Sequence, residues 1–278
     1  MNILTAGNYL ELVALGIAVG CYGTLIGAGG GFVLMPVLLL LYPGQSANLL
    51  TSISLAVVFF NALSGSEAYA LLKRIDYRSG LMFAAATIPG AILGALNTSY
   101  VQRRMFDIIF ATMLLLGAVF LGWRSDKQKS ESKSFGCKRC SISRRLVDTH
   151  GMVYEYDFNW LLGMIISLLV GYISSFLGIG GGIIHVPALA YFLNFPIHVA
   201  TATSHFILAI MALTGTVVHI LTGTFSHGIH RTVVLAMGVV LGAQIGARLS
   251  DKVRGPWIIR ALAMALGLVG LRILFVAL

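Results

Sequence analysis

Long apolar runs separated by short polar stretches fill almost the whole chain, from about Tyr9 to Leu278. A helix needs about 20 apolar residues to cross the hydrocarbon core of a bilayer, which is roughly 30 Å thick, and several runs have this length. Only 10% of the residues are charged, whereas roughly a quarter are charged in soluble proteins. The sequence therefore predicts an all-α membrane protein that crosses the bilayer several times.

The net charge of +9 would by itself fit a protein that binds nucleic acid. However, the Lys and Arg residues lie between the apolar runs and are densest from Arg124 to Arg145. This is the usual pattern of membrane proteins, whose short cytoplasmic loops are rich in basic residues. We therefore expect a lipid bilayer and no nucleic acid as partner, a bacterial cytoplasmic membrane as the location, and a cytoplasmic basic stretch. The start of the chain has no basic n-region or cleavage site, so we expect the first run to be kept.

Two glycine-rich motifs indicate that the chain consists of two related halves. Gly27–Gly31 (GAGGG) is followed by Pro36 in the same way that Gly178–Gly182 (GIGGG) is followed by Pro187, at an offset of 151 residues. Further matches follow in the same order at an offset of 152: Thr51-Ser52 with Thr203-Ser204, and Gly90 and Gly94 with Gly242 and Gly246. We expect a first membrane repeat over residues 1–123, a basic cytoplasmic linker over 124–157 and a second membrane repeat over 158–278.

Each half contains five apolar segments bounded by Gly, Pro or charged residues. They span about 9–26, 31–42, 47–72, 79–96 and 105–123 in the first half, and about 158–177, 183–195, 198–222, 232–250 and 257–278 in the second. The second segment of each half is too short to cross a full core unaided. It either dips into the bilayer and returns, or crosses together with the glycine motif.

The basic residues favour five crossings per half. If every segment crosses, six basic loop residues share the linker's side against three on the other side; if the short segments do not cross, the counts are four against five. Five crossings per half place the halves in opposite orientations. The sequence thus predicts about ten transmembrane segments in two inverted five-segment repeats, with glycine-broken helices.

The glycine runs are the candidate binding site. Each glycine lowers helix stability by about 1 kcal/mol relative to Ala, so three of them indicate a break in the helix. Unpaired backbone is tolerated at membrane depth only when protein or a water-filled cavity surrounds it. The restarting helix directs free N–H groups and its positive dipole end toward that cavity, which suits an anion. By contrast, Gly90, Gly94, Gly242 and Gly246 are spaced four residues apart and fit close helix packing better.

The doubled G-x-G-G-G-x-x-x-x-P motif, each copy followed by a Thr-Ser pair, resembles the TauE/SafE sulfite exporter family over both halves. The first half departs from the pattern with Asn48-Leu49-Leu50 before its Thr-Ser pair, where the second half has Ala200-Thr201-Ala202. The resemblance implies a transporter of the sulfite and organosulfonate class of small anions, with export as the direction.

Thr51, Ser52, Thr203 and Ser204 lie early in the third segment of each half, where their hydroxyls either donate to a bound oxyanion or bond back to their own helix. His205 follows the second pair, and Ile53 stands in its place in the first half. An ionisable residue within the membrane is a candidate for function, here anion pairing or proton coupling. The predicted substrate-binding residues are Gly27, Gly29, Gly30, Gly31, Thr51, Ser52, Gly178, Gly180, Gly181, Gly182, Thr203, Ser204 and His205.

These patterns predict a secondary transporter that moves the anion by alternating access around a site at the membrane midplane. An anion channel or an importer of a related anion would use the same glycine loops. No nucleophile with a base and no H-E-x-x-H motif indicates an enzyme, and no P-loop motif indicates nucleotide hydrolysis. We expect no cofactor and no metal, because Cys137 and Cys140 supply only half of a zinc site. We expect the linker that contains them to be a flexible cytoplasmic connector. The oligomeric state, the coupling ion and the identity of the anion stay open.

Overall fold

The structure is a computed structural model that describes residues 6–124, 141–250, 264 and 267–276. These residues are mostly helical, and six of the helices within them are long and apolar enough to span a bilayer. The helices are α1 (Ala6–Ile26), α2 (Gly31–Leu41), α3 (Ala47–Leu71), α4 (Tyr77–Thr98), α5 (Arg103–Arg124), α6 (Trp160–Leu177), α7 (Gly182–Phe192), α8 (Ile197–Leu221), α9 (Ile229–Leu249) and α10 (Gly267–Val276). A short 3₁₀ helix, Thr224–His227, precedes α9.

Each half packs its first helix against the fourth helix of the other half. In both pairs, α1 with α9 and α4 with α6, glycines allow the backbones to touch. A Cβ atom added to Gly94 would overlap the carbonyl oxygen of Tyr172, and one added to Gly246 would overlap that of Cys21. These glycines serve close helix packing, as their four-residue spacing indicates.

The third helices of the two halves, α3 and α8, cross in opposite directions at the centre of the molecule. Gly65, late in α3, lies against His205, early in α8, while Leu55, early in α3, lies against Gly215, late in α8. The two helices are therefore antiparallel: the later turns of each one pack on the earlier turns of the other. This crossing forms the frame around the glycine motifs.

A β-hairpin lies between the two membrane halves, in the region that the sequence predicted to be a flexible connector. Strands β1 (Ser141–Val147) and β2 (Val153–Asn159) pair antiparallel, with Ser141 opposite Asn159. The prediction of flexibility was wrong for this part of the linker, because Tyr156 and Phe158 turn inward and pack on Phe195, just before α8. Cys137 and Cys140 lie outside the described residues.

Buried ionic contacts fix the hairpin to the connection between α3 and α4. The guanidinium of Arg74 lies 3.3 Å from the carboxylate of Asp148, and both residues are buried. Desolvation acts to raise the pKa of Asp148, but hydrogen bonds from the N–H groups of Met152 and His150 and from Arg74 outweigh it and hold this pKa below its ordinary value. The carboxylate is therefore held in its charged form.

Asp76 joins the hairpin to both halves. Its carboxylate accepts a hydrogen bond from the hydroxyl of Tyr156 at 3.0 Å and lies 3.7 Å from Arg144, while its backbone N–H donates to Thr203 of α8 at 3.1 Å. Burial and the nearby charge of Asp76 raise the pKa of the Tyr156 hydroxyl, so it stays a donor. We call this end of the molecule the hairpin end.

Helix α3 has 25 residues, and its C-terminus lies at the hairpin end. Its N-terminus, at the opposite end of the molecule, lies beside the first turns of α5 and α9. Arg103 at the start of α5 donates hydrogen bonds to the carbonyl oxygens of Gln45 and Leu39. The guanidinium carbon of Arg231, in α9, lies 4.1 Å from the centre of the Tyr42 ring. We call this the Arg231 end. Helix α2 runs from its glycine loop to this end, whereas α7 runs from its own loop to the hairpin end.

Candidate functional site

Both glycine motifs break the helix, as the sequence predicts. Helix α1 ends at Ile26 and α2 begins at Gly31; α6 ends at Leu177 and α7 begins at Gly182. Three glycines in each break have positive φ angles, of +69° to +82°, at equivalent positions, and residues other than glycine rarely adopt such angles. These glycines are Gly27, Gly29, Gly30, Gly178, Gly180 and Gly181.

The two glycine loops touch each other through their backbones. A Cβ added to Gly31 would lie 2.7 Å from the carbonyl of Ile179, and one added to Gly182 would overlap the Cα of Ala28. The contact is reciprocal, since Ala28 and Ile179 occupy the same place in the two motifs. Only glycine at both helix starts permits this approach.

The starts of α2 and α7 carry free backbone donors. Among the described residues, the N–H groups of Gly30, Gly31 and Phe32 donate no hydrogen bond to the protein. In the second half the same holds, within the described residues, for Gly180 and Ile183. Two helix N-termini with unpaired N–H groups and positive dipole ends therefore lie beside each other at the centre, an arrangement suited to negative charge.

Apolar side chains from the crossing helices close over the loops in this conformation. A Cβ at Gly180 would lie 2.7 Å from Val58 of α3, and one at Gly29 would overlap Leu208 of α8. Val58 and Leu208 are both fully buried. In this conformation Val58 and Leu208 therefore pack directly against the two glycine loops.

The Thr-Ser pair of the first half lies beside the glycine loop of the second. Thr51 is buried, its hydroxyl has no hydrogen-bond partner, and it lies 3.3 Å from the position of a Cβ on Gly178. The hydroxyl of Ser52 instead donates to the carbonyl of Leu49 in its own helix. Of this pair, Thr51 has a hydroxyl free for a ligand.

The Thr-Ser pair of the second half lies beside the first glycine loop. The hydroxyl of Ser204 donates weakly to the carbonyl of Gly27, at 3.5 Å. Thr203 accepts the hydrogen bond from Asp76 described above and thus connects the site to the hairpin end. Of the four hydroxyls, those of Thr51 and Ser204 therefore lie against a glycine loop, whereas Ser52 and Thr203 are engaged elsewhere.

His205 is fully buried between α3 and the first glycine loop. Its ring contacts Tyr69 edge to face, at a centroid distance of 5.6 Å, and a side chain on Gly65 would collide with it. Neither ring nitrogen makes a well-formed hydrogen bond, although the backbone of Gly27 and of Thr201 is near. An ionisable residue buried among membrane helices is a candidate for function.

Several polar residues near the loops were missed by the sequence analysis. Asn61 accepts a hydrogen bond from Thr24, and its amide nitrogen has no partner and lies 3.4 Å from the position of a Cβ on Gly30. Ser174, beside Gly181, has an unpaired hydroxyl. A lone Asn in the middle of an apolar segment was the available signal for the first of these. Within the described residues, no three His, Cys, Asp or Glu side chains are placed to hold a metal ion.

Comparison with known proteins gives a consistent result. The family model described as "Sulfite exporter TauE/SafE" matches residues 12–273. The probable membrane transporter protein YunE of Bacillus subtilis is 30% identical over 274 residues, covering 96% of this chain and 98% of that protein. A probable membrane transporter protein of Methanocaldococcus jannaschii is 21% identical over 94% of this chain and 93% of its own length. No solved structure gives a significant match.

Proposed function

The chain belongs to the TauE/SafE sulfite exporter family of membrane transporters, and from this membership and the geometry of the glycine loops we propose that it exports a small sulfur-containing or organic anion. We infer that the anion, of the sulfite or organosulfonate class, binds at a midplane site reached alternately from the two sides of the membrane. The observation that carries the proposal is the pair of touching helix starts with unpaired N–H groups. Such groups supply both the hydrogen bonds and the positive potential that an oxyanion requires.

The placement of the helices supports two inverted repeats of five crossings. Equivalent helices α3 and α8 run antiparallel, as a two-fold axis in the membrane plane requires. Helices α2 and α7 have 11 residues each, about half the thickness of a bilayer core. Each begins at the central loops and extends to a different end of the molecule. In this proposal each glycine loop brings the chain back to the midplane so that a half-length helix completes the crossing.

We propose that separation of Val58 from Leu208 opens the site. These two side chains cover the loops from opposite helices, so movement of α3 relative to α8 would uncover the loop amides from one side at a time. The exposed groups then include the N–H groups of the loops and the hydroxyl of Thr51. His205 is the proposed proton carrier, because it is the buried imidazole nearest the first loop.

The hairpin end is proposed to face the cytoplasm of a bacterial cell. Basic residues support this side, since Lys73, Arg74 and Arg78 lie at the connection that contacts the hairpin. The Arg231 end then faces outward, and export carries the anion from the hairpin end to the Arg231 end.

Flux through purified protein in liposomes tests the proposal. Vesicles would be assayed with labelled sulfite, thiosulfate, sulfoacetate and taurine, comparing wild type with Gly30→Ala, Gly181→Ala and the control Gly117→Ala. We expect both loop variants to lose at least about tenfold in flux, because an added Cβ displaces the loop donors. At Gly117 a Cβ meets no atom within 4 Å, so this control should be unaffected.

Four outcomes would contradict the proposal or a part of it. Equal flux in all three correctly folded variants would remove the loops from the mechanism, and transport of none of the anions would remove the substrate class. Conductance far above carrier turnover, without acceleration by anion on the opposite side, would indicate a channel. Flux that ignores an imposed pH gradient would remove the proton role of His205.

A further inference from the structure

A cavity at the Arg231 end is separate from the glycine loops and has a different chemistry. Its volume is about 520 Å³, and it lies where α3 begins, beside the connection from α8 to α9. It is lined by Gln45, Ser46, Leu49, Thr224 and Arg231, and we call it the vestibule. Four of these five residues are polar, in contrast to the apolar side chains over the loops.

Arg231 gives the vestibule a positive charge that the protein does not neutralise. Within the described residues its guanidinium has no carboxylate partner, and its recorded contact is with the face of the Tyr42 ring. Nearby Arg103 differs, because its Nε lies 2.8 Å from the carboxylate of Asp107 and its other nitrogens donate to backbone carbonyls. Arg103 thus holds the chain together, whereas Arg231 keeps its five donors available for a ligand.

The other walls of the vestibule add donors and no negative charge. Ser46 is the N-cap of α3, so the positive end of this helix dipole faces the cavity. Thr224 accepts a hydrogen bond from the amide of Asn48 at 3.0 Å, and its hydroxyl also lies 3.3 Å from that of Thr222. The backbone carbonyl of Gln45 accepts a hydrogen bond from Arg103, which fixes the backbone at this edge of the cavity.

The vestibule leads toward the central site along one face of α3. Asn48, which contacts the vestibule wall, and Thr51 are three residues apart and therefore lie on the same side of the helix. Thr51 has the unpaired hydroxyl beside Gly178. A chain of polar groups thus runs from Arg231 inward to the second glycine loop.

We propose that the vestibule is a second anion-binding site, which takes an oxyanion such as a sulfonate or sulfite by pairing it with Arg231. Its role in transport rests on the proposed function: it is the station through which the anion passes between the central site and the solution at the Arg231 end. A bidentate pair with the guanidinium fits the oxygens of the anion. Tyr42 and Leu49 offer apolar surface to a short carbon tail.

Transport kinetics measured from the Arg231 side test the role of the vestibule. In oriented liposomes, Arg231→Gln should raise the KM for sulfoacetate about tenfold, the low end for loss of a hydrogen bond to a charged group, with Vmax changed less than about twofold. Arg231→Lys keeps the charge and should recover most of the affinity. The control Arg248→Gln removes an exposed arginine at the other end of α9 and should leave KM unchanged. Equal KM in all of these proteins would overturn the proposal.

A chemical probe tests binding at the vestibule without any transport. In a Gln45→Cys variant, an anionic methanethiosulfonate reagent should react several-fold faster than a cationic one, and sulfoacetate should slow the reaction. Adding Arg231→Gln should remove both the preference and the protection. Protection of the cysteine by sulfoacetate, in a protein that transports none of the anions, would contradict the proposed function but support this site. Equal reaction rates for the two reagents, with no protection by sulfoacetate, would refute the site even if the protein transports anions.

Discussion

The two ends of the molecule are built from equivalent parts of a duplicated sequence, but they handle charge in opposite ways. At the hairpin end, Arg74 and Arg144 are each paired with a carboxylate, of Asp148 and Asp76 respectively. At the Arg231 end, the arginine beside the cavity has no such partner within the described residues. The first end is held together by ion pairs, whereas the second has an open, positively charged cavity.

The inserted hairpin causes this difference. At the offset of 152 residues, Arg231 corresponds to Ser79 at the start of α4. The hydroxyl of Ser79 accepts a hydrogen bond, at 3.3 Å, from Arg144 of β1. The hairpin therefore brings its own guanidinium to the place that corresponds to Arg231, and neutralises it with Asp76. The two membrane repeats are duplicated, but the hairpin is not, and its contacts make the two ends of the molecule different.

The largest expected effect comes from breaking the buried ion pair of the hairpin end. Arg74→Met leaves Asp148 buried without its cation, which should lower the free energy of unfolding by about 3 kcal/mol. The matched control is Arg145→Met, whose partner is Glu155 and whose side chain is 70% exposed. That change should cost less than about 1 kcal/mol. Equal losses, measured by thermal unfolding in detergent, would mean that the hairpin is not fixed by this pair.

A smaller effect should show that the membrane interior, unlike the ends, is the same in both halves. Gly94→Ala and Gly246→Ala each force a methyl group against a backbone carbonyl of the partner helix. Overpacking of this kind costs about 1 to 3 kcal/mol, and we expect the two variants to lose the same amount. Denaturation of the two variants, with Gly117→Ala as the control, measures this loss of stability. A large loss in only one variant would contradict the equivalence of the two helix pairs.

The smallest effect concerns pH. Because the pKa of Asp148 is lower in the folded protein than the ordinary value of 3.8, its contribution to stability is complete above that value and is lost as the pH falls through the folded pKa. The vestibule has no carboxylate among its lining residues. Acidification from about pH 5 to about pH 3 should therefore loosen the hairpin end and leave the vestibule unchanged.

Hydrogen exchange of the amides in β1 and β2, corrected for the intrinsic effect of pH, follows this loosening. Asp148→Asn should make exchange in the hairpin independent of pH over that range. Faster exchange around Gln45 instead of in the hairpin would reverse the comparison between the two ends.

Much of the membrane architecture could be predicted from the sequence, because it depends on local patterns. The glycine runs were expected to break the helices, and α2 and α7 begin directly after them. The predicted third segments, 47–72 and 198–222, agree closely with α3 (Ala47–Leu71) and α8 (Ile197–Leu221). In both cases apolar length and turn residues decide the bounds, without help from distant contacts.

The hairpin was missed because the linker was judged by its composition. Residues Tyr154, Tyr156 and Phe158 alternate with polar residues, a period of two that is typical of a half-buried strand. The partners at the site were harder to foresee. Asn61 meets Thr24, 37 residues away, and Thr51 meets the glycine loop of the other half, contacts that depend on how the helices pack.

The packing of the first and fourth helices of each half against the other half has a consequence for synthesis of the protein. Helix α1 packs chiefly on α9, and α4 on α6, so neither finds its main neighbour among the first 124 residues. During translation these helices lack their main partners, and their glycine-lined surfaces stay uncovered, until the second half has been inserted. Neither half can form these helix pairs by itself, so we expect that a chain cut at the linker would have to reassemble from both pieces before any transport began.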